Sequence, residues 1–180
     1  MINISVKKGV LIASLFFTIN LSATADERSD TWYKIGYDYS QRGRNADAFK
    51  WMIKAADAGH AAAQNNIGLS YLHALGAPKD EKKAFFWFEK SAKQGLAYAQ
   101  SELAMLYYRG TGVEKDTEKA YDWWFKAANQ EDEYAQFNLA SLFLEQSDIK
   151  HAYFWFTRAK NNGHPDAQVA LDKLRREYVE

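Results

Sequence analysis

The tetrad Ala-x-x-Trp recurs at Ala48/Trp51, Ala84/Trp87, Ala120/Trp123 and Ala152/Trp155, at spacings of 36, 36 and 32 residues. Spacings in this range mark stacked supersecondary units, each too small to bury its own apolar face. Counted from each alanine, offsets 0, 3, 4, 7 and 8 are apolar in 18 of 20 cases, Ser91 and Lys160 being the exceptions. That is a helical period, so a run such as "AFFWFEKSAKQG" (84–95) is a helix and not a strand. An aromatic at offset 1 (Phe49, Phe85, Tyr121 and Tyr153) widens each stripe, which requires cover on more than one side.

A second pattern precedes each of these helices: Ile35-Gly36 with Tyr39, Ile67-Gly68 with Tyr71, Leu103-Ala104 with Tyr107, and Leu139-Ala140 with Phe143. Apolar, small and aromatic residues at i, i+1 and i+4 define one helix face, with the small residue admitting a close neighbour. Each unit is therefore a pair of helices. The loops "LGAPKD" (75–80) and "TGVEKD" (111–116) join the pairs of units two and three, with Asp80 and Asp116 placed to cap the following helix. Units one and four lack four residues of this loop. Gly59, Gly95 and Gly163 stand where a helix C-terminus turns, and Glu131 occupies that slot in unit three. The last segment, "HPDAQVALDKLRREYVE", begins like another first helix, with Pro165 as an early helical residue, and becomes charged as a terminal cap must.

The predicted architecture is all-α, with about four units over 31–59, 60–95, 96–131 and 132–164 and a capping helix over 165–180. The 180 residues carry 23 basic and 23 acidic side chains, so a basic footprint for nucleic acid is absent. Residues 1–25 read as a secretory leader: Lys7 and Lys8, an apolar stretch from Gly9 to Leu21, and the small-residue site Ala23-Thr24-Ala25. Export to the periplasm or medium with cleavage after Ala25 is expected, and an uncleaved anchor is the alternative reading. The apolar stretch is short for a membrane span, so none is expected after cleavage. The chain has no cysteine. An exported fold must then hold without disulfides, and thiol nucleophiles, thiolate zinc sites and a lipidated N-terminal cysteine are excluded.

No catalytic constellation is legible. His60 and His164 share one repeat slot after a closing glycine, which suits a turn role; His73 and His151 lack partners at metal-binding spacing. "GTG" (110–112) has no Lys-Ser/Thr after it and reads as a loop. Lys54, Lys90, Lys126 and Arg158 repeat at offset 6, either as a stripe for anions or, more simply, as the solvated outer face of the second helices. No cofactor, metal or catalytic residue is predicted, and the chain is read as non-enzymatic.

The segments "AQSELAMLYYRGTGVEKDTEKAYDWWFKAANQ" (99–130) and "AQNNIGLSYLHALGAPKDEKKAFFWFEKSAKQG" (63–95) resemble the Sel-1-like repeat family, relatives of the tetratricopeptide repeats, over Trp32 to about Leu171. The resemblance implies a right-handed α-solenoid whose first helices line a concave groove. On that geometry the groove would present Tyr33, Tyr37 and Ser40; Asn65, Leu69 and Leu72; Ser101, Met105 and Tyr108; Phe137, Ser141 and Leu144, with His73 and Arg109 at the rim. Most of these are apolar or tyrosine, which suits a protein or peptide partner, although packing between neighbouring first helices accounts for them equally well. Phe86 and Phe154 are candidate contacts on the convex side. The resemblance points first to an interaction module of the cell envelope. An immunity protein neutralising an envelope-acting toxin such as a phospholipase is the alternative, and β-lactam binding or hydrolysis, linked to disulfide-rich relatives, is a remote one.

Overall fold

The computed structural model describes residues 26–178, so the leader and its cleavage site lie outside the described residues. The described residues form nine helices and no strand: α1 (26–41), α2 (Asn45–Asp57), α3 (Ala61–His73), α4 (Glu81–Lys93), α5 (Ala97–Arg109), α6 (Thr117–Ala128), α7 (Glu133–Glu145), α8 (Ile149–Asn161) and α9 (Ala167–Tyr178). Helices α2 to α9 each pack chiefly on their chain neighbours, and Gly36 of α1 lies against Ala48 and Met52 of α2, so α1/α2, α3/α4, α5/α6 and α7/α8 form helix pairs stacked in sequence and closed by α9. This is an α-helical repeat solenoid.

The offset-4 residues of the second helices are consumed by this stacking. Met52, Phe88, Trp124 and Phe156, all at offset 4, are fully buried, as are Ile67, Leu103 and Leu139 of the first helices. The offset-1 aromatics reach across unit boundaries. Phe49 meets Tyr71 edge-on at 5.4 Å, Phe85 meets Tyr107 at 5.3 Å and Tyr121 meets Phe143 at 6.0 Å. Edge-to-face geometry suits aromatic rings, whose positive edges face negative faces. At the last junction α9 offers Arg175, which donates to the Tyr153 hydroxyl at 3.1 Å. α9 buries Ala167, Leu171 and Leu174 and leaves its charged residues outside. Pro165 does not begin that helix; it lies in the turn before Ala167, which the His164 ring stabilises by accepting the Asp166 amide hydrogen at 3.2 Å.

Loop length has a structural meaning. A Cβ on Gly76 would overlap the Asn45 carbonyl, and one on Gly112 would overlap the Glu81 carbonyl. Each long loop thus lies flat on the first turn of the second helix in the preceding unit, at positive φ that favours glycine. Unit four has the short turn at Ser147, so nothing covers the start of α6. A cleft of about 480 Å³ remains there, lined by Thr117, Tyr121, Asp122, Leu142, Phe143 and Gln146. Asp80 and Asp116 cap α4 and α6 by accepting from the Lys83 and Lys119 amides at 3.0 and 2.9 Å. Glu131 takes up the left-handed turn, at φ 67°, that glycine supplies elsewhere.

Candidate interaction face

The face formed by α1, α3, α5 and α7 carries three recesses between successive first helices; α2 floors the first and α6 the third, while Lys79, Glu81 and Thr111 edge the second. Tyr37 and Ser40 of α1 meet Leu69 of α3 in one, of about 210 Å³. Leu72 and His73 meet Met105 and Arg109 in the next, of about 480 Å³. Met105, Tyr108 and Arg109 of α5 meet Ser141 and Glu145 of α7 in the third, again about 210 Å³. Seven of the groove residues placed by sequence therefore line recesses on this face, and the second and third recesses share Met105 and Arg109. Leu144 packs half-buried against the core alongside them.

The remaining predicted groove positions are occupied internally. Asn65 and Ser101 are buried, and Ser101 hydrogen-bonds the Asp132 carboxylate. Phe137 stacks on the His164 ring at 4.0 Å and 8°, and Tyr33 stacks on His60 at 4.4 Å and 17°. His60 also caps α3, its Nδ1 accepting from the Ala63 amide at 3.2 Å. The two histidines thus cap turns and cover a first-helix ring. Burial lowers the His164 pKa, against Asp166 and Glu133, which favours the neutral ring in that stack.

The sequence reading missed Tyr98, Glu102 and Tyr134. Tyr98 and Tyr134 occupy one repeat position, 36 residues apart, and are 45% and 48% exposed. The carboxylates of Glu102, Asp132 and Glu133 lie close enough to Tyr98 to raise its pKa, after burial itself. Burial also pushes the Glu102 carboxyl above the usual carboxylate range; Asp132 adds to this and Arg109 opposes it. Asp132 is raised by burial too, against the Ala135 amide it accepts from. Tyr108 donates to Glu145 Oε1 at 2.6 Å, joining α5 to α7 across the face. The i, i+4 pair Tyr98/Glu102 was the available signal, hidden because each of the two stands one residue before a core position of α5, Ala99 and Leu103.

Among the described residues no group of three histidine, aspartate or glutamate side chains is placed to hold a metal ion. No helix there is long and apolar enough to cross a membrane.

The Sel1 repeat profile matches four consecutive segments, 33–60, 61–96, 97–132 and 133–164. Among solved structures, the chain is similar to a Sel1 repeat protein from Oxalobacter formigenes, at 33% identity and a TM-score of 0.74, over 81% of this chain and 62% of that one. It is also similar to c5321, a protective antigen of uropathogenic Escherichia coli strains displaying an SLR fold, at 26% identity and a TM-score of 0.77, over 87% and 36% of the two chains. PilF of Pseudomonas aeruginosa, at 19% identity and a TM-score of 0.66 over 85% and 70%, shares the fold alone. The chain spans less than two thirds of the length of the first two. Among curated proteins no sequence matches it. Sel1 repeats are generally protein-interaction modules. With four matched units running from 33 to 164 and helices paired and stacked in step with them, the chain belongs to the Sel1 repeat family.

Proposed function

We propose that this chain is a non-enzymatic interaction module of the cell envelope that holds a protein or peptide segment along its first-helix face, the concave groove of the solenoid. The observation that carries this reading is the run of recesses from Tyr37 through Leu69, Leu72 and Met105 to Tyr108 and Ser141, with Tyr37 itself 49% exposed. Apolar side chains presented between polar neighbours suit a partner that inserts side chains into successive recesses. The leader-like residues 1–25 support placement in the envelope. His73 and Arg109 supply polar contacts at the edge.

Site-specific photo-crosslinking in cells tests this reading. A crosslinking side chain at Tyr37 is expected to capture a discrete protein, and one at Phe86, on the second helices, is not. Equal capture from both positions, or capture from 86 alone, overturns the groove assignment. The captured partner's identity separates a general adaptor from a toxin antidote, and N-terminal sequencing of envelope-recovered protein is expected to begin at Asp26.

A further inference from the structure

The two faces of the solenoid carry opposite charge. Helices α1, α3, α5 and α7 hold 3 basic and 7 acidic residues, whereas α2, α4, α6 and α8 hold 11 basic and 6 acidic ones. On the second helices a column of four cations repeats once per unit, each held over the tryptophan three residues before it. Lys54 lies 4.3 Å from the centre of a Trp51 ring, Lys90 5.0 Å from Trp87, Lys126 4.1 Å from Trp123 and Arg158 5.2 Å from Trp155. Among the described residues, none of these four makes an ion pair with a carboxylate. Their neighbours Lys50, Lys83, Lys93 and Lys119 all do, with Asp47, Asp80, Glu89 and Asp116. A ring beneath a cation fixes its position and leaves its outward side free for an anion.

Large apolar rings stand beside this column. Phe86 is 47% exposed, one turn before Lys90, and Phe154 is 50% exposed, one turn before Arg158. Phe125 is exposed as well. A soluble polyanion would neutralise the cations and leave the phenyl rings in water. A bilayer with anionic headgroups satisfies both, because phosphates meet the cations while aromatic rings settle at the boundary with the acyl chains. We propose that the outer face of the second helices docks reversibly on an anionic lipid bilayer surface through the Lys54, Lys90, Lys126 and Arg158 column and the flanking Phe86 and Phe154. Docked this way, the protein keeps its first-helix face turned away from the lipid.

The full chain is tested by sedimentation with phosphatidylcholine vesicles, with and without about one third phosphatidylglycerol, at low salt. Residues 1–25 are common to every variant, so differences between variants read the face. Changing Lys54, Lys90, Lys126 and Arg158 to Gln is expected to weaken partitioning into the anionic vesicles by at least about tenfold. Changing Lys34, Lys79, Lys173 and Arg176 to Gln, which removes the same charge elsewhere, is expected to leave it within about twofold. Tryptophan emission in the parent is expected to be quenched by spin-labelled headgroups, since Trp51 and Trp123 lie under the cation column. Phe86→Ser with Phe154→Ser keeps the charges and is expected to weaken binding on its own. Circular dichroism confirms that each variant is folded. Equal loss from both four-charge variants, or an unquenched tryptophan signal, overturns the proposal. If the Phe86/Phe154 variant binds vesicles as the parent does and both bind soluble polyphosphate equally, the face takes a soluble polyanion and the bilayer assignment is wrong.

Discussion

Gln94 donates from Nε2 to Oε1 of Gln64, 2.7 Å away and thirty residues earlier in the chain. The same bond recurs between Gln130 and Gln100 at 2.8 Å and between Asn162 and Gln136 at 3.0 Å. Each receiving glutamine is buried and donates its own amide to a carbonyl at the end of the preceding second helix: Ala56, Ala92 or Ala128, at 3.1 to 3.2 Å. Each of these carbonyls also accepts the turn amide that follows it, from Gly59, Gly95 or Glu131, at 3.0 to 3.1 Å, so the glutamine ties the next unit to an already closed helix end.

Gln100→Leu should therefore cost about 1–3 kcal/mol, because it removes two hydrogen bonds, the one Gln100 donates to the Ala92 carbonyl and the one it accepts from Gln130. A melting temperature lower by roughly 2–10 °C checks this, and Gln130→Ala, altering an exposed donor, should cost distinctly less.

Gly68 faces the fully buried Phe88, and a Cβ there would come within 2.8 Å of its ring. Alanine is the better helix former by about 1 kcal/mol, but overpacking costs about 1–3 kcal/mol, and Phe88 has no space to retreat into. Gly68→Ala is expected to destabilise by up to about 2 kcal/mol in urea unfolding, the overpacking less the helix gain. Adding Phe88→Leu to it should cost less than Phe88→Leu costs alone, because the smaller side chain makes room for the methyl group.

Tyr33 and Phe137 sit at predicted groove positions yet stack on histidines, whereas Tyr37 projects into solvent. Phe137→Ala should cost about 2–3 kcal/mol, since it removes contacts with both His164 and Phe156. Tyr37→Ala should stay within about 0.5 kcal/mol and lower partner capture instead. Thermal melts of the two variants, run beside capture yields, separate structural from interacting aromatics.

Glu102 is held with a raised pKa by burial and by Asp132. A carboxyl of this kind binds its proton more tightly folded than unfolded, so its contribution to stability falls as pH rises from the ordinary carboxylate range through the raised value. Glu102→Gln should raise the melting temperature at pH 7 by no more than about 2–4 °C. That gain should vanish near pH 4, where the parent carboxyl is protonated. A gain that persists unchanged at pH 4 would show that charge burial is not its cause.

Much of this fold is legible in local pattern because each unit repeats the same contacts. The stripe alanines Ala48, Ala84, Ala120 and Ala152 and the offset-4 residues are core in every unit, as are Ile67, Leu103-Ala104 and Leu139-Ala140, while Trp51, Trp123 and Ile35 stay half-buried, and Asp80 and Asp116 cap the helices they precede. Burial across unit boundaries is less legible. Asn65 and Ser101 occupy the same helical offset as Tyr33 and Phe137, but what covers that offset is the turn opening the next first helix, whose residue changes from unit to unit. The segregation of charge was hidden for another reason. Acidic and basic helices alternate along the chain, so counts over the whole sequence cancel what the fold separates into two faces.

The long loops that lie on the preceding unit also determine how such an array could grow. A copy of residues 61–96 inserted after 96 would bring its own glycine loop onto the Glu81 turn, as Gly112 now does, and would present the same turn to the loop that follows. A copy of unit four, with its short turn at Ser147, would repeat the uncovered cleft at α6 instead. The middle of this solenoid is extensible by whole-unit duplication, while duplicating its fourth unit would multiply an open cleft.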